Sequence, residues 1–406
     1  MSHNLPNNTP QTLAIKLTAA GERSIRNLHP WIFSESILKI NKEGRTGDIA
    51  VIFSHATNKP MGVGLYDAHS PIRIKMLHFE GSATIDASFF SKKIDAAFSI
   101  RKELLKTKTN GYRLLFGEND GFPGFIADVY ANVLAVKLYS AIWWPYLDVI
   151  LKQLIIVSSC DCAVLRLGRN LQKQNNASQL KDGDILYGIL ENETIYFEEH
   201  GVRFSANVIK GHKTGYFLDH RHNRKRVGEL SKEKTVLDVF AYAGGFSVHA
   251  LANGAKEVTS VDISEQALVL ALKNGQLNPH SGKHKVFAGD AFEVLQGLIS
   301  KGIVYDVVVI DPPSFAKSAK EIELAKKKYT ELALLGIQLT APKGIVVLAS
   351  CTSRVTAQEF FEINTGVLQN SGRTFRLLEK TFHDSDHPIG FPEGAYLKCG
   401  YYQLDK

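Results

Sequence analysis

Residues 236–246 read VLDVFAYAGGF, a short apolar run that passes directly into a glycine pair. The run has the length and composition of a buried strand, and Phe246 opens a stretch of helical character. Glycines at a strand-to-helix turn allow a ligand to approach the backbone closely and let the amides of the helix N-terminus face an anion. The spacing differs from the GxGxxG pattern of dinucleotide-binding enzymes. The stretch therefore predicts a ligand-binding turn without identifying the ligand.

From this strand and turn onward the chain alternates between short apolar runs and helical stretches. The predicted strands are 236–240, 257–261, 285–287, 307–310 and 344–349, and the predicted helices cover 246–253, 264–276, 291–300 and 322–340. Alternation of this kind predicts an α/β fold with a Rossmann-like, doubly wound parallel sheet, whose ligands bind at the carboxyl ends of the strands. Residues 395–404 come late in the chain without a following helix, which predicts an antiparallel strand at the edge of the sheet.

Acidic residues accompany three consecutive predicted strands. Asp238 lies inside the first, Asp262 ends the second, and Asp290 follows the third. An acid in the second position can accept hydrogen bonds from ribose hydroxyls. The pattern looks like the nucleoside and amino-acid contacts of a class I methyltransferase, and the alternative is that each acid caps the helix that follows it. The predicted cofactor-binding residues are Asp238, Tyr242, Gly244, Gly245, Asp262, Asp290 and Ala291.

The fourth and fifth predicted strands end in residues that fit catalysis on a pyrimidine. Residues 311–315 read DPPSF, and Cys351 follows the fifth strand at the same edge of the sheet. The two prolines make a rigid corner that can hold a target base against an aromatic ring while Asp311 binds its N3/N4 edge. A thiolate that adds to C6 of cytosine makes C5 nucleophilic, which predicts Cys351 as the nucleophile and Asp311 as its catalytic partner. The predicted substrate-binding residues are Pro312, Pro313 and Phe315, and the base that removes the C5 proton is not identified.

Two alternatives stay open at this point. Enzymes that methylate exocyclic amines commonly carry an aromatic residue after Asp-Pro-Pro, and Ser314 at this position argues against that chemistry. The 314–318 loop nevertheless resembles that of guanine methyltransferases as well, which keeps the target base open. Methylation of a purine base, with Cys351 merely structural, is the first alternative. The second is a non-catalytic RNA-binding or ribosome-assembly factor that retains the fold.

The length of 406 residues exceeds one ordinary core and predicts two or three domains. Short strands separated by turns predict a small all-β barrel over residues 12–80. Residues 81–205 mix strands and helices and predict a central α+β domain. The alternating pattern that contains the glycine turn is assigned to a third domain, residues 206–406.

Composition sets further bounds on the function. The net charge of +7 allows a polyanionic partner. Four cysteines do not make a disulfide framework, and the lone Cys160–Cys162 pair has no second pair at metal-ligand spacing, so no metal site is expected. The apolar stretch 141–157 is interrupted by Pro145, Asp148 and Lys152, which argues against a membrane span. The polar N-terminus lacks a secretion signal, so a cytoplasmic location is expected.

The chain resembles the bacterial 23S ribosomal RNA cytosine-5 methyltransferases of the RlmI type over nearly its whole length. The stretches that carry the resemblance are LHPWIF at 28–33, GVGLY at 62–66, SPIR at 70–73, FGENDGFPG at 116–124, GHKTGYFLDHR at 211–221, and DHP at 386–388 with PEGAYLK at 392–398. The resemblance implies an N-terminal PUA domain, a central α+β domain, S-adenosyl-L-methionine as cofactor and 23S rRNA as the partner. It also implies cofactor contacts for Phe217, Asp219 and Arg221, and it assigns the nucleophile to Cys351 and the base-binding acid to Asp311.

The resemblance leaves several points open. Thr352 stands where the family often has serine, and it keeps the hydroxyl. Lys317, Lys320 and the lysines at 326–328 are candidate phosphate contacts, with a solvated helix face as the alternative. The nucleotide that is modified and the oligomeric state, a homodimer included, are not determined by the sequence.

Overall fold

The computed structural model describes residues 9–173 and 180–405, which form two compact units. The first unit contains the chain up to Glu198, Ser205–Leu218 and Ser385–Gly394. The second contains Glu199–Phe204, Asp219–Asp384 and the chain from Ala395 onward. The three-domain division with boundaries after residues 80 and 205 stays a prediction.

The N-terminal part of the first unit is built on a six-stranded sheet. Its strands are β1 (Thr12–Leu17), β2 (Trp31–Phe33), β3 (Ile37–Ile40), β4 (Ile49–Phe53), β5 (Pro60–Tyr66) and β6 (Ile72–Phe79), in the order β2-β6-β5-β4-β1-β3. Helix α1 (Ala19–Arg26) lies between β1 and β2, so this segment contains a short helix in addition to the predicted strands. The helix begins at Thr18, whose side chain accepts a hydrogen bond from the Gly21 amide.

The central part of the first unit packs helices against a five-stranded sheet. Its elements are α2 (Ala87–Leu105), β7 (Gly111–Phe116), β8 (Phe125–Tyr130), β9 (Val133–Leu138), α3 (Leu147–Ser158), β10 (Cys162–Leu167), α4 (Arg169–Lys173) and β11 (Ile185–Tyr187). The strand order is β11-β10-β9-β8-β7. Among the described residues, Ala141–Ser158 is the one helical segment whose length and composition would suffice to cross a membrane. Its apolar side contributes Trp143, Ile150 and Leu154 to the core of the unit, so we interpret it as a core helix.

A hairpin of β12 (Thr194–Glu199) and β13 (Val202–Asn207) precedes, along the chain, the seven-stranded sheet of the second unit. The later elements are α5 (Arg221–Leu230), β14 (Thr235–Val239), α6 (Gly245–Ala252), β15 (Glu257–Asp262), α7 (Glu265–Gln276), β16 (Lys283–Ala288), α8 (Ala291–Ser300), β17 (Tyr305–Ile310), α9 (Ile322–Leu339), β18 (Thr340–Ser350), α10 (Ala357–Asn370), β19 (Phe375–Thr381) and β20 (Lys398–Leu404).

The seven-stranded sheet of the second unit has the order β16-β15-β14-β17-β18-β20-β19. The five strands from β14 to β18 pair in parallel, and β20 pairs antiparallel with both β18 and β19. The predicted parallel, doubly wound sheet is confirmed. The prediction that residues 395–404 form its edge is wrong, because β19 covers β20 on that side.

Candidate active site

The turn after β14 has an unusual backbone conformation. Phe240, Tyr242 and Gly244 have φ angles of 66°, 48° and 77°, in the left-handed region that non-glycine residues rarely adopt. Gly244 precedes the first residue of α6, and a Cβ atom there would lie 2.8 Å from the Cβ of Ala271 on α7. Glycine is therefore required at 244 for both its backbone angle and its close approach to α7. Strained turns of this kind concentrate at ligand sites.

Asp238 is buried next to this turn with one carboxylate oxygen unpartnered. Its Oδ2 accepts hydrogen bonds from the Ser247 amide at 3.0 Å and the Ser247 hydroxyl at 2.6 Å. Its buried Oδ1 has no hydrogen-bond partner in the described part of the chain. Burial, together with the nearby charges of Asp311 and Asp262, raises the pKa of Asp238 to about 7. An unsatisfied buried oxygen beside a glycine turn fits a ligand that brings a hydrogen-bond donor or a positive charge.

Asp262 and Asp290 use their carboxylates differently. Asp262 accepts hydrogen bonds from the Tyr242 amide at 2.8 Å and the Ser264 amide at 2.9 Å, so it holds the glycine turn in place. Asp290 is exposed and caps α8 by accepting from the amides of Phe292 and Glu293. The contacts of Asp290 in this structure are therefore those of a helix cap, which was the alternative to a cofactor contact. Ala291 is the buried first residue of α8, and Gly245 is the half-buried first residue of α6.

The three residues that the resemblance links to the cofactor lie in different units. Phe217 belongs to the first unit, is half-buried and has the Lys213 ammonium 5.8 Å from its ring centroid. Asp219 and Arg221 belong to the second unit. Asp219 accepts a hydrogen bond from the Tyr396 hydroxyl at 2.9 Å. Arg221 is fully buried, with its guanidinium 3.0 Å from the Asp384 carboxylate.

Asp311 follows β17 and faces a histidine from the start of α5. The Oδ1 atom of Asp311 lies 3.2 Å from Nε2 of His220, whose side chain is 6% exposed against 22% for Asp311. The ring of His220 packs edge-on against Phe246, with the centroids 5.5 Å apart. The accessible part of the Asp311 carboxylate is therefore left for another partner.

Cys351 lies next to the Asp311 loop. Its half-buried thiol is 3.7 Å from the Pro312 carbonyl oxygen. The hydroxyl of Thr352 ties the two loops together, because it accepts from the Phe315 amide at 3.3 Å and lies 3.3 Å from the Ser314 hydroxyl. Cys160, Cys162 and Cys399 are buried free thiols. Cys351 is thus the accessible thiol of the described cysteines, and it adjoins the predicted base-binding loop.

The remaining residues of the loop differ in exposure. Pro312 is buried, Pro313 is exposed and Phe315 is half-buried. The Phe315 ring lies 5.3 Å from that of Tyr329 and 4.9 Å from the Lys328 ammonium. Lys326, one of the candidate phosphate contacts, is held by Glu323 and Glu359 at 3.1 and 2.9 Å, which favours the reading of a solvated helix face for that lysine.

Two residues beside the site are not predictable as site residues from the sequence. His220 lies in the 211–221 stretch and Lys398 in the 392–398 stretch. Their chemistry depends on neighbours far away in the chain, Asp311 for His220 and the segment after Cys351 for Lys398. The one available signal is that both lie inside stretches that carry the family resemblance.

Comparisons with known proteins show the family of the chain. The family model for S-adenosylmethionine-dependent methyltransferases matches residues 113–381, and a model for a PUA-like domain matches residues 15–79. A ribosomal RNA large subunit methyltransferase of Deinococcus radiodurans is 40% identical over 406 residues, which covers 98% of this chain and 99% of the relative. The ribosomal RNA large subunit methyltransferase I of Shewanella frigidimarina is 34% identical, covering 95% of this chain and 98% of the relative.

Solved structures share the fold. A candidate SAM-dependent methyltransferase from Streptococcus mutans superposes with a TM-score of 0.80 at 21% identity, covering 96% of this chain and 99% of that one. A second candidate methyltransferase, crystallised with S-adenosylhomocysteine (SAH), gives a TM-score of 0.79 at 21% identity, covering 97% and 100%. The chain belongs to the S-adenosylmethionine-dependent methyltransferase family, in the group with an N-terminal PUA-like domain that includes the ribosomal RNA large subunit methyltransferases I. S-adenosylmethionine is its cofactor.

Proposed function

We propose that the chain methylates C5 of a cytosine in 23S ribosomal RNA through a covalent adduct of Cys351. One observation carries this proposal: the accessible thiol of Cys351 lies next to the loop that begins at Asp311. The Cys351 sulfur is 3.7 Å from the Pro312 carbonyl oxygen. The names of the relatives, ribosomal RNA large subunit methyltransferases, support rRNA as the substrate. Ribosomal RNA is methylated where ribosomes are assembled, which in a bacterium is the cytoplasm.

The cofactor supplies an electrophilic methyl group. Asp238 has an unsatisfied buried oxygen that fits the cofactor's amino group, and Asp262 and the glycine turn fit its ribose and carboxylate. The residues proposed to hold the cofactor are Phe217, Asp219, Arg221, Asp238, Tyr242, Gly244, Gly245, Asp262, Asp290 and Ala291.

The chain's own residues carry the activation of the base. The Cys351 thiolate adds to C6 of the cytosine, forming a C–S bond while the electron pair of the C5–C6 double bond becomes available at C5. Asp311 holds the N3/N4 edge, where charge develops. After C5 has accepted the methyl group, loss of the C5 proton returns the electron pair to C5–C6 and the C–S bond breaks. Pro312, Pro313 and Phe315 shape the pocket of the base, as expected for enzymes that take a base out of its stack.

Nucleoside analysis tests the proposal. Full-length protein, labelled S-adenosylmethionine and unmodified 23S rRNA, free or in the large subunit, are incubated before the RNA is digested. We expect label in 5-methylcytidine, its loss with Cys351→Ala, and its retention with Cys162→Ala, a buried cysteine in β10. Label in a purine nucleoside, or full activity of Cys351→Ala, would favour methylation of a purine base with Cys351 in a structural role. Absence of cofactor binding by calorimetry would favour the non-catalytic factor.

A further inference from the structure

The side chain of Lys398 is a buried cation beside the segment that follows Cys351. Lys398 is the first residue of β20 and is 1% exposed. Its ammonium donates hydrogen bonds to the carbonyl oxygens of Thr352, of Val355 at 2.6 Å and of Tyr396 at 3.2 Å. Two of these three acceptors belong to the four residues that follow Cys351, so all three N–H groups of the lysine are used and two of them fix that segment.

No carboxylate compensates this charge at ion-pair distance within the described residues. The groups whose negative charge would attract Lys398 are Cys351 and Glu359. Glu359 already binds Lys326, with 2.9 Å between the ammonium and the carboxylate. Burial lowers the pKa of Lys398 to about 8, and the attraction by Cys351 and Glu359 opposes this effect.

A buried charge without a carboxylate partner is costly, and an apolar side chain of similar length would fill the space at lower cost. Carbonyl oxygens satisfy the hydrogen-bonding capacity of the ammonium, but they do not neutralise its charge. The charge therefore needs an explanation beyond packing. The Cys351 thiol is the ionisable nucleophile next to it, and thiolates form readily beside a lysine.

We propose that Lys398 is a positioning residue that keeps Cys351 in its reactive thiolate form and fixes the segment that follows it. This inference rests on the proposed role of Cys351 as nucleophile and adds the group that activates it. Two other ionisable residues lie in the segments around Cys351. Asp311 precedes Pro312, whose carbonyl oxygen is 3.7 Å from the Cys351 thiol, and the Tyr329 hydroxyl lies 2.6 Å from that of Thr352. A negative Asp311 disfavours a second negative charge, and burial raises the pKa of Tyr329, which keeps its hydroxyl neutral. The positive charge of Lys398 offsets this effect of Asp311.

The test is the pH dependence of Cys351 alkylation by iodoacetamide in the full-length protein, without RNA or cofactor. Peptide mass spectrometry locates the label, and burial raises the pKa values of Cys160, Cys162 and Cys399, so these thiols contribute little. With Lys398→Met we expect the midpoint of the alkylation profile to rise by about one pH unit, and the rate at pH 7 to fall about tenfold. Lys398→Gln keeps amide donors for the carbonyl oxygens without the charge, and we expect the same shift.

Arg373→Met is the matched control. Arg373 also donates to three carbonyl oxygens, those of Ile337, Thr340 and Ala341, at the opposite end of β18 from Cys351. We expect this variant to keep the wild-type alkylation profile. A folded Lys398→Met or Lys398→Gln variant with the wild-type profile would overturn the inference. A shifted profile in protein that forms no 5-methylcytidine would instead retain the Lys398 effect and reject the proposed function.

Discussion

The Nε2 atom of His220 lies 3.2 Å from Oδ1 of Asp311, and the contacts of the other ring nitrogen place the ring proton on the side of that carboxylate. On the other side of the ring, Nδ1 lies 3.1 Å from Nδ2 of Asn223. The Asn223 side-chain oxygen accepts from the hydroxyls of Thr381 and Tyr401, which fixes the orientation of the amide. Nδ1 of His220 is then an acceptor, and the ring proton resides on Nε2. We infer that His220 sets the orientation of Asp311.

His220→Phe is expected to lower the single-turnover rate of methyl transfer about tenfold or more, because it removes the polar group that lies 3.2 Å from the Asp311 carboxylate, and polar contacts to a charged group contribute about 1.5–3 kcal/mol. The phenyl ring preserves the packing against Phe246, so cofactor affinity measured by calorimetry should stay within about twofold. His220→Gln is the control, because its amide can donate to Asp311 and restore much of the rate. Equal rates for wild type and His220→Phe would show that Asp311 does not need this partner.

Asp238→Asn is expected to change how the stability of the cofactor-free protein depends on pH. Burial raises the pKa of Asp238 to about 7 from an ordinary value of 3.8. The folded state therefore binds a proton that the unfolded state has lost between these two values, and stability falls as pH rises through that window. Three pH units at about 1.4 kcal/mol each give an upper bound of about 4 kcal/mol.

The asparagine variant lacks this loss, because its side chain is neutral at every pH. Urea unfolding should give similar stabilities for wild type and variant at pH 4, and a more stable variant at pH 8. A difference that is the same at both values would mean that Asp238 is ionised in the folded protein without cost.

Gly244→Ala is expected to lower the free energy of unfolding by about 2 kcal/mol or more. The φ angle of 77° disfavours an L side chain, and the new methyl group would lie 2.8 Å from the Cβ of Ala271. Gly366→Ala is the control in α10, where an added Cβ has no neighbour within 4 Å, and it should stabilise by about 0.5–1 kcal/mol. Thermal unfolding of both variants measures these effects. A Gly244→Ala variant as stable as wild type would contradict the close packing of the turn.

Asp290→Ser separates the two roles of Asp290. Serine caps a helix about as well as aspartate, so the melting temperature should stay close to that of wild type. If the carboxylate also binds the cofactor, as proposed, calorimetry should show a loss of affinity of about tenfold, the effect of roughly 1.4 kcal/mol. Unchanged affinity would leave Asp290 as a helix cap alone. Asp290→Ala should lose stability as well as affinity, since it removes the cap.

The sequence predicts the parallel strands of the seven-stranded sheet well, because the patterns that indicate them are local in the chain. Apolar runs at residues 236–240 and 307–310 alternate with amphipathic helices, and the glycine turn marks the point where a ligand approaches. The elements that the sequence does not reveal are stabilised by distant partners. Helix α5 has the very polar sequence RHNRKRVGEL, and it buries Arg224 against Glu199, with 2.6 Å between the two charged groups. Strand β19 (FRLLEKT) is half-exposed and lacks the apolar run of a buried strand. The sequence therefore does not reveal β19, and it predicts β20 at the edge of the sheet.

The same contrast applies to the site. Asp311 and Cys351 are predictable because parallel strands deliver their carboxyl ends to one edge of the sheet. His220 and Lys398 reach them from α5 and from the antiparallel β20, and no rule of spacing along the chain connects residue 220 with 311 or 398 with 351. Their pairing follows from tertiary structure alone.

The central claim, covalent catalysis by Cys351, is tested most directly by trapping the adduct with rRNA that contains 5-fluorocytidine. Fluorine at C5 cannot leave as a proton does, so the C–S bond should persist after methyl transfer. We expect a denaturation-resistant protein–RNA complex with the RNA attached at Cys351 by peptide mass mapping, formed by wild type and Cys162→Ala and absent with Cys351→Ala. A complex formed by Cys351→Ala, or none formed by a wild-type enzyme that methylates unsubstituted rRNA, would contradict the claim.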